Sequence, residues 1–378
     1  MAKTKRKHFY DYGLLFAIIF LTIFGLVMIY SASSYTAQIK MGDPGYYMKR
    51  QGFLALIGFA AMIVISLIDY HKILKFAVPA YLLSIVLMIV TMVAGREING
   101  RRRWLGIGSL SFQPTEFVKI AIILFMAVYI VNLGKRINTM KGFLTVVGLT
   151  AVPSALVAYN NLSSGIIVFL IPAAMAFMVA EKKFVWAYIG LFAAIVLVLL
   201  FKRPAAAFLT STGILKPYQI SRVLVWLEPE AHPLDGGYQV LQGLYAIGSG
   251  GVWGKGLGQS IQKLGFVPEA QNDMIFSIIC EELGFFGALL VIVIFAFLLY
   301  RLFVLANSAP DRYGAFLCIG VMAHVAIQVI LNIAVVSNVI PNTGVTLPFI
   351  SYGGTSVIFL MCEMGLALSV SRRIYLDY

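Results

Sequence analysis

The chain has 378 residues, 60% hydrophobic and only 12% charged, with a mean hydropathy of +0.90. Soluble domains carry roughly 25% charged residues, so a water-soluble fold is excluded. A formal net charge of +13 would suit nucleic acid, but in so apolar a chain basic cytoplasmic loops facing anionic headgroups account for it, and no nucleic-acid partner is expected.

Apolar runs able to cross a hydrocarbon layer of roughly 30 Å occur at 12–33, 51–68, 74–94, 114–132, 143–159, 162–180, 184–201, 273–300, 313–340 and 354–371. They predict an all-α polytopic membrane protein with ten transmembrane helices and both termini cytoplasmic. Residues 1–11 form a basic cytoplasmic leader with Lys3, Lys5, Arg6 and Lys7, and the first run reads as an uncleaved signal anchor. Lys72, Lys75, Lys135, Arg136, Lys141, Lys182, Lys183, Arg301, Arg312, Arg372 and Arg373 mark the remaining cytoplasmic stretches. One short outer segment, 95–113, violates the rule with Arg96, Arg101, Arg102 and Arg103. Residues 202–272 form a long extracytoplasmic loop, too long for a connector. Its Trp226, Tyr238, Tyr245 and Trp253 stand among apolar residues, which predicts partial helices packed at the outer surface. Without repeats or low-complexity tracts, 1–378 reads as a single integral membrane domain.

Ionisable groups in or beside the spans each cost about 2.5–3.5 kcal/mol at mid-bilayer if unpaired. Glu116 and Lys119 are three apart on one helix face, which permits an ion pair, either a brace or a substrate contact. Asp273 heads the eighth run after a turn-rich Pro268-Glu269-Ala270-Gln271-Asn272, where a carboxylate serves as a helix cap or as a reactive group at the outer boundary. Glu281 and Glu282 lie about two turns deeper, predicting an outward-opening acidic column. Arg101-Arg102-Arg103-Trp104 sets three guanidiniums beside an interfacial ring, for headgroup anchoring or for an anionic ligand.

The glycine-rich stretch Gly248–Gly258 lacks the GxxxxGK[ST] spacing, so a tightly turned outer loop is expected rather than a nucleotide cradle. Ser351-Tyr352-Gly353-Gly354, after Pro341 and Pro348, predicts unwound backbone lining a cavity. His8, His71, His232 and His324 form no HExxH spacing, and no GxSxG elbow occurs. Cys280, Cys318 and Cys362 all lie in apolar runs, leaving neither a disulfide framework nor a CxxC metal site.

Four segments, spread nearly end to end, closely resemble the SEDS family (shape, elongation, division and sporulation; RodA/FtsW/SpoVE type). They are Asn99-Gly100-Arg101-Arg102-Arg103-Trp104 with Gln113-Pro114-Thr115-Glu116 and Lys119; Leu241-Gln242 through Gly258; Phe266-Val267-Pro268-Glu269-Ala270 with Asp273 and Glu281-Glu282-Leu283-Gly284; and Thr346-Leu347-Pro348-Phe349-Ile350-Ser351-Tyr352-Gly353-Gly354-Thr355-Ser356. Thr346 is more similar to the FtsW/SpoVE branch. The resemblance implies a peptidoglycan glycosyltransferase that polymerises lipid II and releases undecaprenyl pyrophosphate. It also implies a class B penicillin-binding protein (transpeptidase) as partner, alongside other divisome or elongasome membrane proteins. On the matching positions it makes Asp273 the essential aspartate, Glu281 its nearby glutamate, Trp104 the outer-loop tryptophan, and Glu116 and Lys119 the Glu–Lys pair. Two positions depart from the family pattern: Asn161 replaces an acid, and Met274 replaces the aromatic after the aspartate.

On this reading Asp273 is the general base for an inverting transfer. Arg101, Arg102, Arg103, Lys119 and a divalent cation (Mg or Mn) are candidates to steady the departing diphosphate, and Ser351–Gly354 line the substrate cavity. Two rivals stand beside it. A lipid II flippase would show matched inverted halves, and a non-catalytic scaffold would not need its acids.

Overall fold

A computed structural model describes residues 7–98, 101–107, 110–211 and 217–376; Asn99 and Gly100 of the arginine-rich motif lie outside them. A short strand β1 (Lys7–His8) leads into α1 (Tyr12–Met41), α2 (Tyr46–Leu67), the one-turn α3 (Tyr70–Leu74) and α4 (Ala77–Ala94). The basic segment that follows is a three-stranded antiparallel sheet, β2 (Arg96–Ile98), β3 (Arg101–Ile107) and β4 (Leu110–Phe112). Then come α5 (Pro114–Leu133), α6 (Met140–Asn160), α7 (Leu162–Phe177) and α8 (Lys182–Leu200). Inside the long loop lie α9 (Lys202–Ser211), α10 (Pro217–Leu227) and α11 (Gly237–Gly250). The chain finishes with α12 (Ile275–Ser308), α13 (Arg312–Val336), α14 (Ser356–Ser371) and β5 (Tyr375–Leu376).

Among the described residues, α1, α2, α4, α5, α6, α12 and α13 are the seven helices long and apolar enough to cross a membrane, and α7 and α14 are shorter apolar helices. Their boundaries follow local chemistry. Asp11, Thr139, Asn161 and Asp311 cap α1, α6, α7 and α13 with side-chain oxygens, and Pro114 occupies the first turn of α5, where no amide hydrogen is missed. The ninth apolar run predicts helix to 340, but α13 stops at Val336 and residues 341–347 are irregular, because Pro341 and Pro348 cannot donate to a helical ladder. Large apolar side chains such as Phe286, Leu290, Val293 and Phe303 stay exposed on α12, as a lipid-facing surface requires.

β1 pairs with β5 in antiparallel register, Lys7 with Leu376 and His8 with Tyr375, so both described chain ends meet on one face. The same face carries a clasp between α3, the α12–α13 turn and the residues after α14. His71 Nδ1 lies 2.9 Å from Asp69 and Nε2 2.7 Å from Asp311. The Tyr70 hydroxyl donates to Asp311 at 2.6 Å, and Arg373 lies 3.4 Å from Asp69. Partial burial pulls the imidazole pKa down, but its bonds to Asp69 and Asp311 outweigh that and hold it above the ordinary histidine value. A raised histidine adds stability that is complete below its unfolded pKa and vanishes as pH rises through the folded one. His71→Ala therefore lowers the melting temperature of the purified protein at about pH 6 and much less near pH 9. Because the ring is half exposed, the effect stays under about 1 kcal/mol. Equal losses at both pH values would rule the charged clasp out.

α12 is broken near its start. Gly284 has φ 65° and ψ −163°, a conformation essentially confined to glycine. The loop after α11 fills the break: Lys255 and Gly256 donate backbone N–H to the carbonyls of Glu281 and Glu282, both at 2.9 Å. Phe285 and Phe286 donate to Gly251 and Val252 at 2.9 and 3.4 Å. Four orphaned backbone groups are thus satisfied by the glycine-rich segment, the condition for irregular backbone at membrane depth. A Cβ on Gly284 would stand 2.3 Å from the Gly254 nitrogen and 2.5 Å from the Val252 oxygen. Gly284→Ala is expected to cost at least about 1–3 kcal/mol in backbone strain alone, read as a lower melting temperature and reduced monodisperse yield.

Candidate active site

Asp273 stands two residues before α12, at the end remote from the clasp and so on the face opposite the chain ends. It is approached by a turn in which Asn272 N–H donates to the Glu269 carbonyl at 2.9 Å. Facing it is the irregular segment 341–347, where a Cβ on Gly344 would lie 3.9 Å from Asp273 Oδ2. Tyr352 N–H reaches back to the Gln271 carbonyl at 2.8 Å, tying the Ser351–Gly354 turn to the same loop. The unwound backbone predicted there is present: Ser351 Oγ accepts from Leu347 N–H at 2.8 Å, and α14 begins only at Ser356.

Asp273 is 9% exposed. Burial is the largest influence on its carboxyl and pushes it up to about 6. Its own backbone N–H pulls the other way, Glu269 adds to the rise, and Arg222 opposes it.

Arg222 reaches the site from α10. Its Nη1 donates to the Asn342 carbonyl at 2.9 Å, and Trp226 Nε1 donates to the carbonyls of Asn338 and Val339 at 3.2 and 3.1 Å. α10 is therefore docked along the segment facing Asp273. Asn342 also donates to Gln239, which donates to Pro268 O, both at 3.2 Å, closing a ring of contacts around the site. In the sequence Arg222 is one more basic residue of a long loop; its only hint is Trp226 four positions on, on the same helix face.

Two of the three clustered arginines reach helix ends. Arg102 Nη1 donates to the Val93 carbonyl at 2.7 Å and Arg103 Nε to the Asn160 carbonyl at 3.1 Å, at the C-terminal ends of α4 and α6. Two forces separate them. Successive strand residues point to opposite faces, and helix C-termini offer unsatisfied carbonyls carrying negative partial charge. Arg101 pairs with Ile98 in the sheet, its side chain lying outside the described residues, and Trp104 stands opposite Arg96.

Glu116 and Lys119 pair at 2.9 Å. The lysine, deeply buried, also donates to Gln328 Oε1 at 3.3 Å, which braces α5 against α13. Gln328 lies 2.8 Å from His324, which lies 2.6 Å from Glu363. Glu116, His324, Gln328, Thr346, Ser351 and Gln51 border a polar cavity of about 20 Å³, room for roughly one water. Gln51 is buried, and both its amide atoms lack a protein partner.

The acidic column expected to open outward is closed. Lys255 lies 2.7 Å from Glu281, which also accepts from the Ser260 hydroxyl and from Ile261 N–H at 3.2 Å. Lys263 lies 2.8 Å from Glu282, which accepts from Ser31 Oγ at 2.7 Å. Two fully buried carboxylates demand such partners, and the loop that fills the α12 break supplies them.

Asn161, where the resemblance leads one to expect an acid, accepts from Ser164 N–H at 3.4 Å as the cap of α7, a task an amide oxygen performs as well as a carboxylate. Next to it, Ser163 donates to Thr343 O at 3.3 Å, joining α7 to the segment facing Asp273. Among the described residues no three His, Cys, Asp or Glu side chains are placed to hold a metal ion.

Fold and site define a polytopic α-helical membrane protein with a desolvated acid at the face remote from its chain ends. The family model FTSW_RODA_SPOVE, described as cell cycle protein, matches residues 12–375, and the chain belongs to this family. It is 36% identical to stage V sporulation protein E of Bacillus subtilis (strain 168), over 98% of this chain and 99% of that protein. It is 35% identical to the probable peptidoglycan glycosyltransferase FtsW of Geobacter sp. (strain M18), over 98% of each chain. A solved peptidoglycan synthase complex, described as coordinating polymerization and crosslinking, contains a chain 31% identical with a TM-score of 0.78, covering 97% of this chain and 99% of that one. The rod shape determining protein RodA of Thermus thermophilus aligns with a TM-score of 0.68 at 26% identity, over 97% and 98%.

Proposed function

We infer that this chain is a peptidoglycan glycosyltransferase of the bacterial cytoplasmic membrane, polymerising lipid II into β-1,4-linked glycan strands with release of undecaprenyl pyrophosphate. The observation that carries this reading is Asp273: a desolvated carboxyl at the face opposite the chain ends, with Arg222 close enough to influence its charge. The β1–β5 pairing supports an even number of crossings; with α7, α8 and α14 added to the seven long helices the number is ten, the chain ends being cytoplasmic and Asp273 extracytoplasmic.

Asp273 Oδ takes the proton of the acceptor sugar's C4 hydroxyl as that oxygen bonds to C1 of the donor. The C1–O bond to diphosphate breaks with inversion, and the diphosphate leaves as an anion. Near neutral pH a carboxyl titrating at about 6 is ionised yet still a usable base. Arg222, the cation that acts on the Asp273 carboxyl, stabilises the developing negative charge. Both lipid tails stay in the bilayer throughout. A class B penicillin-binding protein is the proposed crosslinking partner, supported by the solved relative that sits in a complex coordinating polymerization and crosslinking.

The test is purified protein, alone and with a candidate transpeptidase, given lipid II in detergent. Glycan strands on a gel support the polymerase. A flippase or a scaffold makes none, because neither forms a bond and detergent offers no compartment to cross.

A further inference from the structure

α13 presents three buried polar side chains four residues apart, His324, Gln328 and Asn332, and therefore on one face. Gln328 Nε2 donates to the Thr346 carbonyl at 2.9 Å. Asn332, one turn on, uses Nδ2 twice, donating to the Asp273 carbonyl at 2.8 Å and to the Val345 carbonyl at 2.7 Å. We propose that Asn332 is the positioning residue for Asp273, stitching the turn that bears the aspartate to the irregular segment opposite and so setting where its carboxylate sits. This rests on Asp273 being the base.

Three observations carry it. The Asp273 carbonyl is placed to join the first turn of α12, yet Ser277 N–H donates instead to Met274 O at 3.0 Å, leaving that carbonyl to Asn332. Asn332 is fully buried, so water does not compete for either bond. Its Oδ1 is buried without a hydrogen-bond partner. A leucine here would avoid the orphaned oxygen but leave two carbonyls bare. The site thus keeps an unsatisfied acceptor in order to hold two carbonyls, that of the aspartate itself and that of Val345 on the segment facing it.

Asn332→Ala is tested in the purified full-length protein with lipid II, against Asp273→Asn and wild type. The expected result is a kcat lowered about 10- to 100-fold, the scale of an ångström-sized misplacement, with KM for lipid II nearly unchanged. The acid limb of the pH–rate profile should also move to lower pH, because a carboxylate no longer held in its buried place reaches water. A purely structural role would reduce the amount of folded enzyme and leave that limb where it is. Should Asn332→Ala fail to purify as a folded protein, Asn332→Ser, which keeps one short donor, supplies the same readouts with a smaller loss. A folded variant with wild-type kcat and an unmoved limb overturns the positioning role while Asp273→Asn remains inactive. An active Asp273→Asn overturns the base itself, and the positioning role with it.

Discussion

Asp273→Asn eliminates measurable strand formation while the protein still folds. The exchange preserves side-chain shape and leaves intact the backbone carbonyl held by Asn332. It removes only the proton acceptor, whose contribution to rate is roughly 10²–10⁴-fold. The pH dependence of the wild-type enzyme follows from the same group. Burial raises its pKa to about 6, so the active carboxylate form fills in as pH rises, and kcat/KM climbs along an acid limb near that value before levelling off. Stability moves the opposite way. An acid whose pKa is raised on folding binds more protons in the native state between its unfolded and folded values, so it destabilises the protein at every pH above them. Replacing it with a neutral amide should stabilise the protein at neutral pH, on the order of 1–3 kcal/mol. Activity lost together with a higher melting temperature is the signature of a functional carboxyl. Lost activity with a lower melting temperature would instead mark Asp273 as a structural cap.

The largest stability loss is expected from Lys263→Met. Lys263 and Glu282 lie 2.8 Å apart, the glutamate fully buried and the lysine nearly so, with Ser31 Oγ at 3.0 Å from the ammonium. Removing the lysine leaves a buried carboxylate without its counter-charge, an effect of about 3–5 kcal/mol. Adding Glu282→Gln removes the stranded charge, so the double variant should recover most of the loss. Thermal melts of the single and double variants in detergent decide the matter. A double variant no more stable than Lys263→Met would show that the loop is held by something other than this pair. Lys255, partly exposed beside Glu281, should matter less when replaced, because that carboxylate keeps its bonds from the Ser260 hydroxyl and the Ile261 and Gln262 N–H groups.

Much of this architecture is written in local sequence. Transfer of apolar side chains into hydrocarbon and the cost of an unpaired backbone group act on each stretch of about twenty residues separately. The apolar runs therefore foretold the helices, and Pro341 with Pro348 foretold unwound backbone before α14. Asp273 could be singled out because an acid heading an apolar span after a turn-rich approach is rare enough to notice. What each charge touches was decided only by the tertiary structure, because its partner comes from a distant part of the chain. Arg103 meets a carbonyl of Asn160, and the acids at 281 and 282 meet lysines delivered by a loop that plugs a broken helix. Arg222 and Asn332, both in contact with the surroundings of Asp273, carry no local signal that separates them from an ordinary loop cation and an ordinary polar residue in a span. Solvation and periodicity are properties of a single segment, whereas hydrogen bonding and charge pairing are properties of two, and only the fold brings the second one into place.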